Sequence, residues 1–199
     1  MRWAWAEIDA DAIRHNTSVL RSHAAPSEAW AVVKADGYGH GVLAAARAAL
    51  EGGATGLCVA LVQEGVELRR AGIDAPVLVL SEQPHDELAA AVQHGLQLTV
   101  YRHETVGALE GLGATSHPVH LKIDTGMNRL GFRFDNLRRM LPELLASPNL
   151  ELDAVYTHFA TADEPGSPLF DQQRERFTRA LAVLADLGAR PRSEEHTSE

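Results

Sequence analysis

Short runs of apolar residues alternate along the chain with longer stretches whose apolar positions recur every three or four residues. Strand-like runs fall at Ala29–Lys34, Leu57–Leu61, Pro76–Leu80, Leu96–Tyr101, Pro118–Asp124 and Leu152–His158. Val77-Leu78-Val79-Leu80 is apolar at every position, the pattern of a strand covered on both faces, as in a parallel sheet. Helical composition marks Val42–Glu51, Val62–Ala71, Pro84–His94, Asp135–Ala146 and Pro168–Leu187. Gly52, Gly72, Gly95 and Gly188 follow four of these stretches at or near their ends, where access to positive φ closes a helix. Six βα units in succession predict an α/β fold with a parallel sheet. A doubly wound sheet and a (β/α)8 barrel both give this order, and periodicity does not separate them.

The two ends break the rhythm. Trp3–Asp9 alternates large and small residues like a strand, and Asp9 or Asp11 is placed to cap a helix running to about Ser22. No βα spacing leads into that strand, so residues 1–10 are expected to belong to a different sheet from the βα segment, 11–190. Residues 191–199 follow Arg190 with no apolar side chain except Pro191, and are expected to be a polar tail outside the core, a scar or a misassembled end.

Composition narrows the function classes. The formal net charge is −9, from 18 basic and 27 acidic residues, and no Lys/Arg stripe is present. Nucleic acid and anionic membrane are therefore poor partners. No apolar run approaches the roughly 20 residues that span a bilayer. Glu7 interrupts the stretch where a signal peptide would be apolar. Cys58 is the single cysteine and sits in an apolar run, as a core residue would. A soluble, cytoplasmic protein is expected.

Three stretches carry polar chemistry at strand ends. In Ala31-Val32-Val33-Lys34-Ala35-Asp36-Gly37-Tyr38-Gly39-His40-Gly41 an apolar strand ends in a lysine, followed by a glycine-rich turn and then a helix. In a barrel, the C-terminal ends of the strands are where chemistry is placed. A lysine amine there suits Schiff-base formation, and the Tyr38 hydroxyl suits a bound phosphate. An exposed strand-end lysine and an ordinary loop fit the same residues. In His120-Leu121-Lys122-Ile123-Asp124-Thr125-Gly126-Met127-Asn128-Arg129-Leu130-Gly131-Phe132 a second strand end leads to a turn carrying Arg129, whose fork suits a carboxylate or phenolate. A surface ion pair of Asp124 with Arg129, or of Asp124 with Lys122, fits equally. In Ala154-Val155-Tyr156-Thr157-His158-Phe159-Ala160 a third strand ends in Tyr156 and His158, and a lone strand-end histidine is more often structural than catalytic.

Together these strings closely resemble the hallmarks of alanine racemases, as do Trp5-Ala6-Glu7-Ile8-Asp9, Ala12 and His15-Asn16 near the start. The resemblance runs from about residue 5 to residue 187. It implies a (β/α)8 barrel joined to a C-terminal β-domain, a homodimer with shared active sites, pyridoxal 5'-phosphate as cofactor and no metal. It further implies interconversion of L- and D-alanine, the D-enantiomer serving peptidoglycan. Lys34 would carry the cofactor as a Schiff base and act as base on one face of the substrate. Tyr38 would contact the cofactor phosphate, and Arg129 the phenolic oxygen and the substrate carboxylate. Tyr156 and His158 would lie beside the cofactor ring. Lys122 matches a lysine that is carbamylated in some members, where it supports the arginine. Asn128 stands where members often have glycine, a mild departure because Asn tolerates positive φ. Six strands against the eight of a complete barrel imply an N-terminal fragment, inactive by itself. Related alternatives are a non-enzymatic cofactor-binding barrel protein, a racemase of another amino acid, or a decarboxylase of related fold.

Overall fold

The computed structural model describes residues 3–113 and 115–197. It divides into two units, Met1–Leu80 with Gln93–Leu96, and Ser81–Val92 with Gln97–Glu199.

In the first unit the order is α1 (Ala10–Ala24), β1 (Trp30–Val32), the one-turn segment α2 (Lys34–Tyr38), α3 (Val42–Glu51), β2 (Gly56–Val59), α4 (Val62–Arg70) and β3 (Val77–Val79). β2 pairs in parallel with β1 (Ala31 opposite Leu57) and with β3 (Cys58 opposite Leu78). Every residue of β2 and β3 is buried, Cys58 included, as the apolar runs predict. α3 turns five small or branched residues inward, Val42, Ala45, Ala46, Ala48 and Ala49. α4 buries Val62, Gly65, Val66 and Leu68. A Cβ on Gly65 would stand 2.7 Å from a Leu96 methyl, so a larger residue there would require the Leu96 side chain to shift. The Arg69 guanidinium closes the lower loops by donating to the carbonyls of Ile73, Ala75, His94 and Gly95 at 2.7–3.3 Å.

At the N-terminus the structure corrects the expected strand. Asp9 does cap α1, accepting from the N–H groups of Asp11 (2.9 Å) and Ala12 (3.0 Å). Trp3–Asp9, however, lies in no ladder, and Trp3 and Trp5 are 88% and 81% exposed. Alternation marks a segment fit to be a strand. A strand needs a partner strand for its ladder, and none pairs with it among the described residues, so its exposed backbone is left to water.

The second unit holds α5 (His85–Gln93) up to Val92, then β4 (Gln97–Val100), α6 (His103–Gly111), β5 (His117–Asp124), β6 (Phe132–Arg133), α7 (Leu137–Ala146), β7 (Leu150–Phe159), α8 (Pro168–Asp186) and β8 (Arg192–Thr197). β5 pairs in parallel with β4, with the short β6 and with β7, and its register to β7 shifts between Val119 and His120. In chain order, six strands are each followed by a helix, which is the α/β class predicted from the sequence. α6 has no counterpart in that prediction. Gly107 and Gly111 dilute its apolar stripe, and only Thr105, Val106 and Leu109 are buried. α7 and α8 present clearer stripes, the latter Gln173, Phe177, Ala180 and Leu184.

The polar end is also corrected. Residues 191–199 are expected to be a tail outside the core, yet Arg192–Thr197 pair in parallel with Ala154–Phe159, and Arg192 reaches Asp153 at 2.6 Å. A ladder is made by N–H and C=O groups, which polar residues carry as well as apolar ones. Polarity therefore argues against core burial and not against pairing.

Candidate active site

Lys34 is the first side chain beyond the β1 ladder. The neighbouring Val33 N–H still donates to Cys58 O at 2.8 Å. The chain then winds left-handed through Ala35, Asp36, Gly37, Tyr38 and Gly39, with φ of 52°, 55°, 61°, 56° and 83°. Residues bearing a Cβ resist this, at roughly 1–2 kcal/mol each, so the turn holds only where its surroundings dictate it. Gly37 is required for space as well, since a Cβ there would lie 2.9 Å from that of Ala45.

Hydrogen bonds fix this turn from both ends. Gly37 N–H donates to Val33 O (3.0 Å), and Gly41 N–H to Asp36 O (2.9 Å). The Asp36 carboxylate accepts the Val42 N–H at the start of α3 (2.8 Å). From 29 residues away, Glu64 Oε1 accepts the Ala35 N–H at 2.6 Å, while Oε2 accepts those of Ala60 (2.7 Å) and Leu61 (3.0 Å). One carboxylate thus joins the loops that follow β1 and β2. Lys34 Nζ lies 5.8 Å from the centre of the Tyr38 ring. Among the described residues no hydrogen bond or ion pair holds that amine.

The second unit places its own polar cluster at the ends of β4, β5 and β7. Lys122 is buried (6% exposed) and opposes Tyr156 in register. Its Nζ lies 5.1 Å from the Tyr156 ring centre, and the Tyr156 hydroxyl bonds Thr99 Oγ1 at 2.9 Å. Asp124 turns to the backbone, Oδ1 accepting the N–H groups of Gly126 (2.9 Å) and Asn128 (3.0 Å). The surface pair of Asp124 with Arg129 that the sequence allows is not formed. Arg129 is exposed, and among the described residues it has no ion pair. Asn128 adopts φ 57°, the left-handed position that a glycine would fill more easily. Gly131 (φ 132°) closes the turn so tightly that a Cβ would stand 2.6 Å from Asp124 N.

A buried amide locks the two strand ends together. Gln173 of α8 has no exposed surface. Its Oε1 accepts the Ala160 N–H (2.9 Å), and its Nε2 donates to His158 O (2.9 Å) and Thr125 Oγ1 (3.1 Å). Thr125 and Thr157 hydroxyls bond each other at 2.7 Å, and Arg176 donates to Thr125 O at 2.8 Å. His158 thereby has its backbone fixed beside the Arg129-bearing turn.

Against known proteins, the model of the alanine racemase N-terminal domain matches residues 8–198. The chain belongs to the alanine racemase N-terminal domain family. The alanine racemase of Symbiobacterium thermophilum is 46% identical over 195 residues, covering 96% of this chain and 52% of that protein. The alanine racemase of Geobacillus stearothermophilus is 42% identical over 195 residues, covering 96% and 49%. Among solved structures, alanine racemase from Bacillus anthracis with bound L-Ala-P superposes with a TM-score of 0.90 at 40% identity, over 100% of this chain and 52% of that one. The fold is that of the family's N-terminal barrel domain, and the chain spans about half the length of the alanine racemases it matches.

Sequence reasoning missed Glu64 and Gln173. Glu64 stands at the third position of α4 and reads as a helix-capping acid. Its reach to Ala35 has no local signal. Gln173 interrupts an otherwise apolar stripe, and that interruption is a cue that a buried polar partner is waiting.

Proposed function

We propose that this chain is the cofactor-bearing half of a pyridoxal-phosphate-dependent racemase that interconverts L- and D-alanine. The observation that carries the reading is the contrast between the only two lysines of the sequence. Lys122 is buried against Tyr156, whereas Lys34 follows the half-buried strand β1 and the buried Val33, and its amine has no hydrogen bond or ion pair among the described residues. A covalent cofactor link needs a free amine in a fixed position, and the rigid left-handed turn supplies the fixing. These residues fit the cofactor.

In this reading Lys34 holds the cofactor and takes the α-proton from one face of the substrate, returning it when the reaction runs the other way. Tyr38, four residues on, donates to the phosphate. Arg129 offers an unengaged fork to the phenolic oxygen and to the substrate carboxylate. Tyr156, held by Thr99, and His158, whose carbonyl is held by Gln173, would lie beside the cofactor ring, and Lys122, at a position carbamylated in some members, would support Arg129. The cofactor, when bound, supplies an electron sink for the α-carbanion. The protein is expected to act as a cytoplasmic homodimer, and the 199-residue chain alone is expected to be inactive.

The test is to supply the full-length protein with pyridoxal phosphate and L-alanine and follow D-alanine with a stereospecific oxidase. Formation of D-alanine, and the reverse from D-alanine, is the expected result. Absence of exchange with alanine, alongside turnover of another amino acid, would assign the chain to a different substrate.

A further inference from the structure

We infer that Glu64 is a positioning residue for Lys34, holding the left-handed turn from which that lysine projects. The inference rests on the proposal that Lys34 carries the cofactor, and it names the group that sets where Lys34 stands.

Ala35, Asp36 and Tyr38 each carry a Cβ into left-handed space, and the turn relaxes unless it is tied down. The bonds from Gly39 and Gly41 close the loop on itself, and that from Gly37 ties it back to Val33 at the end of β1. Asp36 ties it forward to α3. Glu64 alone among the described residues ties the first left-handed residue sideways, to the loop after β2. Ala35 N–H follows Lys34 directly, so its direction fixes the Lys34 peptide plane and the path of the Cα–Cβ bond. A carboxylate suits this role because its two oxygens can accept from three N–H groups, and charge-assisted bonds are about twice as strong as neutral ones.

Helix capping alone would explain the bonds to Ala60 and Leu61 but not the third, to Ala35. The two roles separate by length. Aspartate at position 64 keeps a negative charge in the first turn of α4, where the helix dipole favours it, yet it is one methylene short of the span to Ala35. Glutamine keeps the length with a neutral acceptor oxygen.

The experiment titrates the full-length protein and its Glu64→Asp and Glu64→Gln variants with pyridoxal phosphate. It follows visible absorbance and the induced circular dichroism of the bound chromophore, and measures melting of each cofactor-free protein. Glu64→Asp is expected to melt within about 3 °C of the parent. It should bind the cofactor at least about tenfold more weakly, with a diminished dichroic band, the scale of one lost charge-assisted hydrogen bond. Glu64→Gln should recover part of the affinity. Parent-like affinity and dichroism in Glu64→Asp would overturn the inference. So would affinity losses in both variants that merely track their losses in melting temperature. If the parent itself forms no adduct at Lys34, the functional reading fails instead. Amide exchange at Ala35 in the cofactor-free protein then still decides whether Glu64 holds the turn: it should be slow in the parent and faster in Glu64→Asp, and equal rates would refute it.

Discussion

At the scale of single residues, Lys34 and Arg129, the two groups proposed to meet the cofactor, each stand in a fixed turn with a side-chain end that has no hydrogen bond or ion pair among the described residues. Arg129 is the clearest case: the turn that bears it is clamped by Asp124 below and by Gly131 beyond, while the guanidinium has no ion pair among the described residues. Losing one such charge-assisted partner costs about 2–4 kcal/mol, or roughly 30- to 1000-fold in rate. In the full-length protein Arg129→Ala is expected to lose alanine turnover on that scale. Arg129→Lys should be impaired as well, because it keeps charge but loses the fork. Near-unchanged kcat/KM for both enantiomers in Arg129→Ala would remove the residue from the site. Gly131 gives a stability prediction of the same kind. Gly131→Ala forces a Cβ against Asp124 N at a φ reserved for glycine, at a cost on the order of 3 kcal/mol. A lower denaturation midpoint at unchanged m is the expected readout, and an unchanged midpoint would show that the turn relaxes freely.

At the scale of elements, β1, β5 and β7 lead into the candidate residues, and Glu64 of α4 and Gln173 of α8 hold the backbone beside them. Most of this was legible in the sequence. The six strands, five of the helices that follow them, the Asp9 cap, buried Cys58 and the positive φ of Asn128 all follow from local pattern. The parts that were not legible depend on long-range partners. The Trp3–Asp9 alternation finds no partner strand among the described residues, β8 pairs despite its polarity, and the bond from Ala35 to Glu64 spans 29 residues. Gln173 lies between these cases, its interrupted stripe visible but its three partners hidden. Gln173→Leu leaves Ala160 N–H, His158 C=O and the Thr125 hydroxyl to find other partners in a dry interior. An unsatisfied buried group costs about 1–3 kcal/mol. Destabilisation of roughly 3 kcal/mol by urea unfolding is therefore expected, and a neutral or stabilising change would show that the network contributes little.

At the scale of the whole molecule, the chain spans about half the length of the alanine racemases it matches. It also shows Trp3, Trp5 and Leu20 well exposed at its N-terminal end. Exposed aromatic surface of this kind favours association. The 199-residue chain alone is expected to self-associate by light scattering and to show no racemase turnover, and a monodisperse monomer that racemises alanine would contradict both. The central claim is that Lys34 is the cofactor lysine, and a two-lysine chain makes it directly testable. The full-length protein, loaded with pyridoxal phosphate, reduced with borohydride and digested, should yield the pyridoxyl mass on the peptide containing Lys34, and Lys34→Ala should abolish it. A label on Lys122, on a lysine outside these 199 residues, or one that persists in Lys34→Ala would contradict the account.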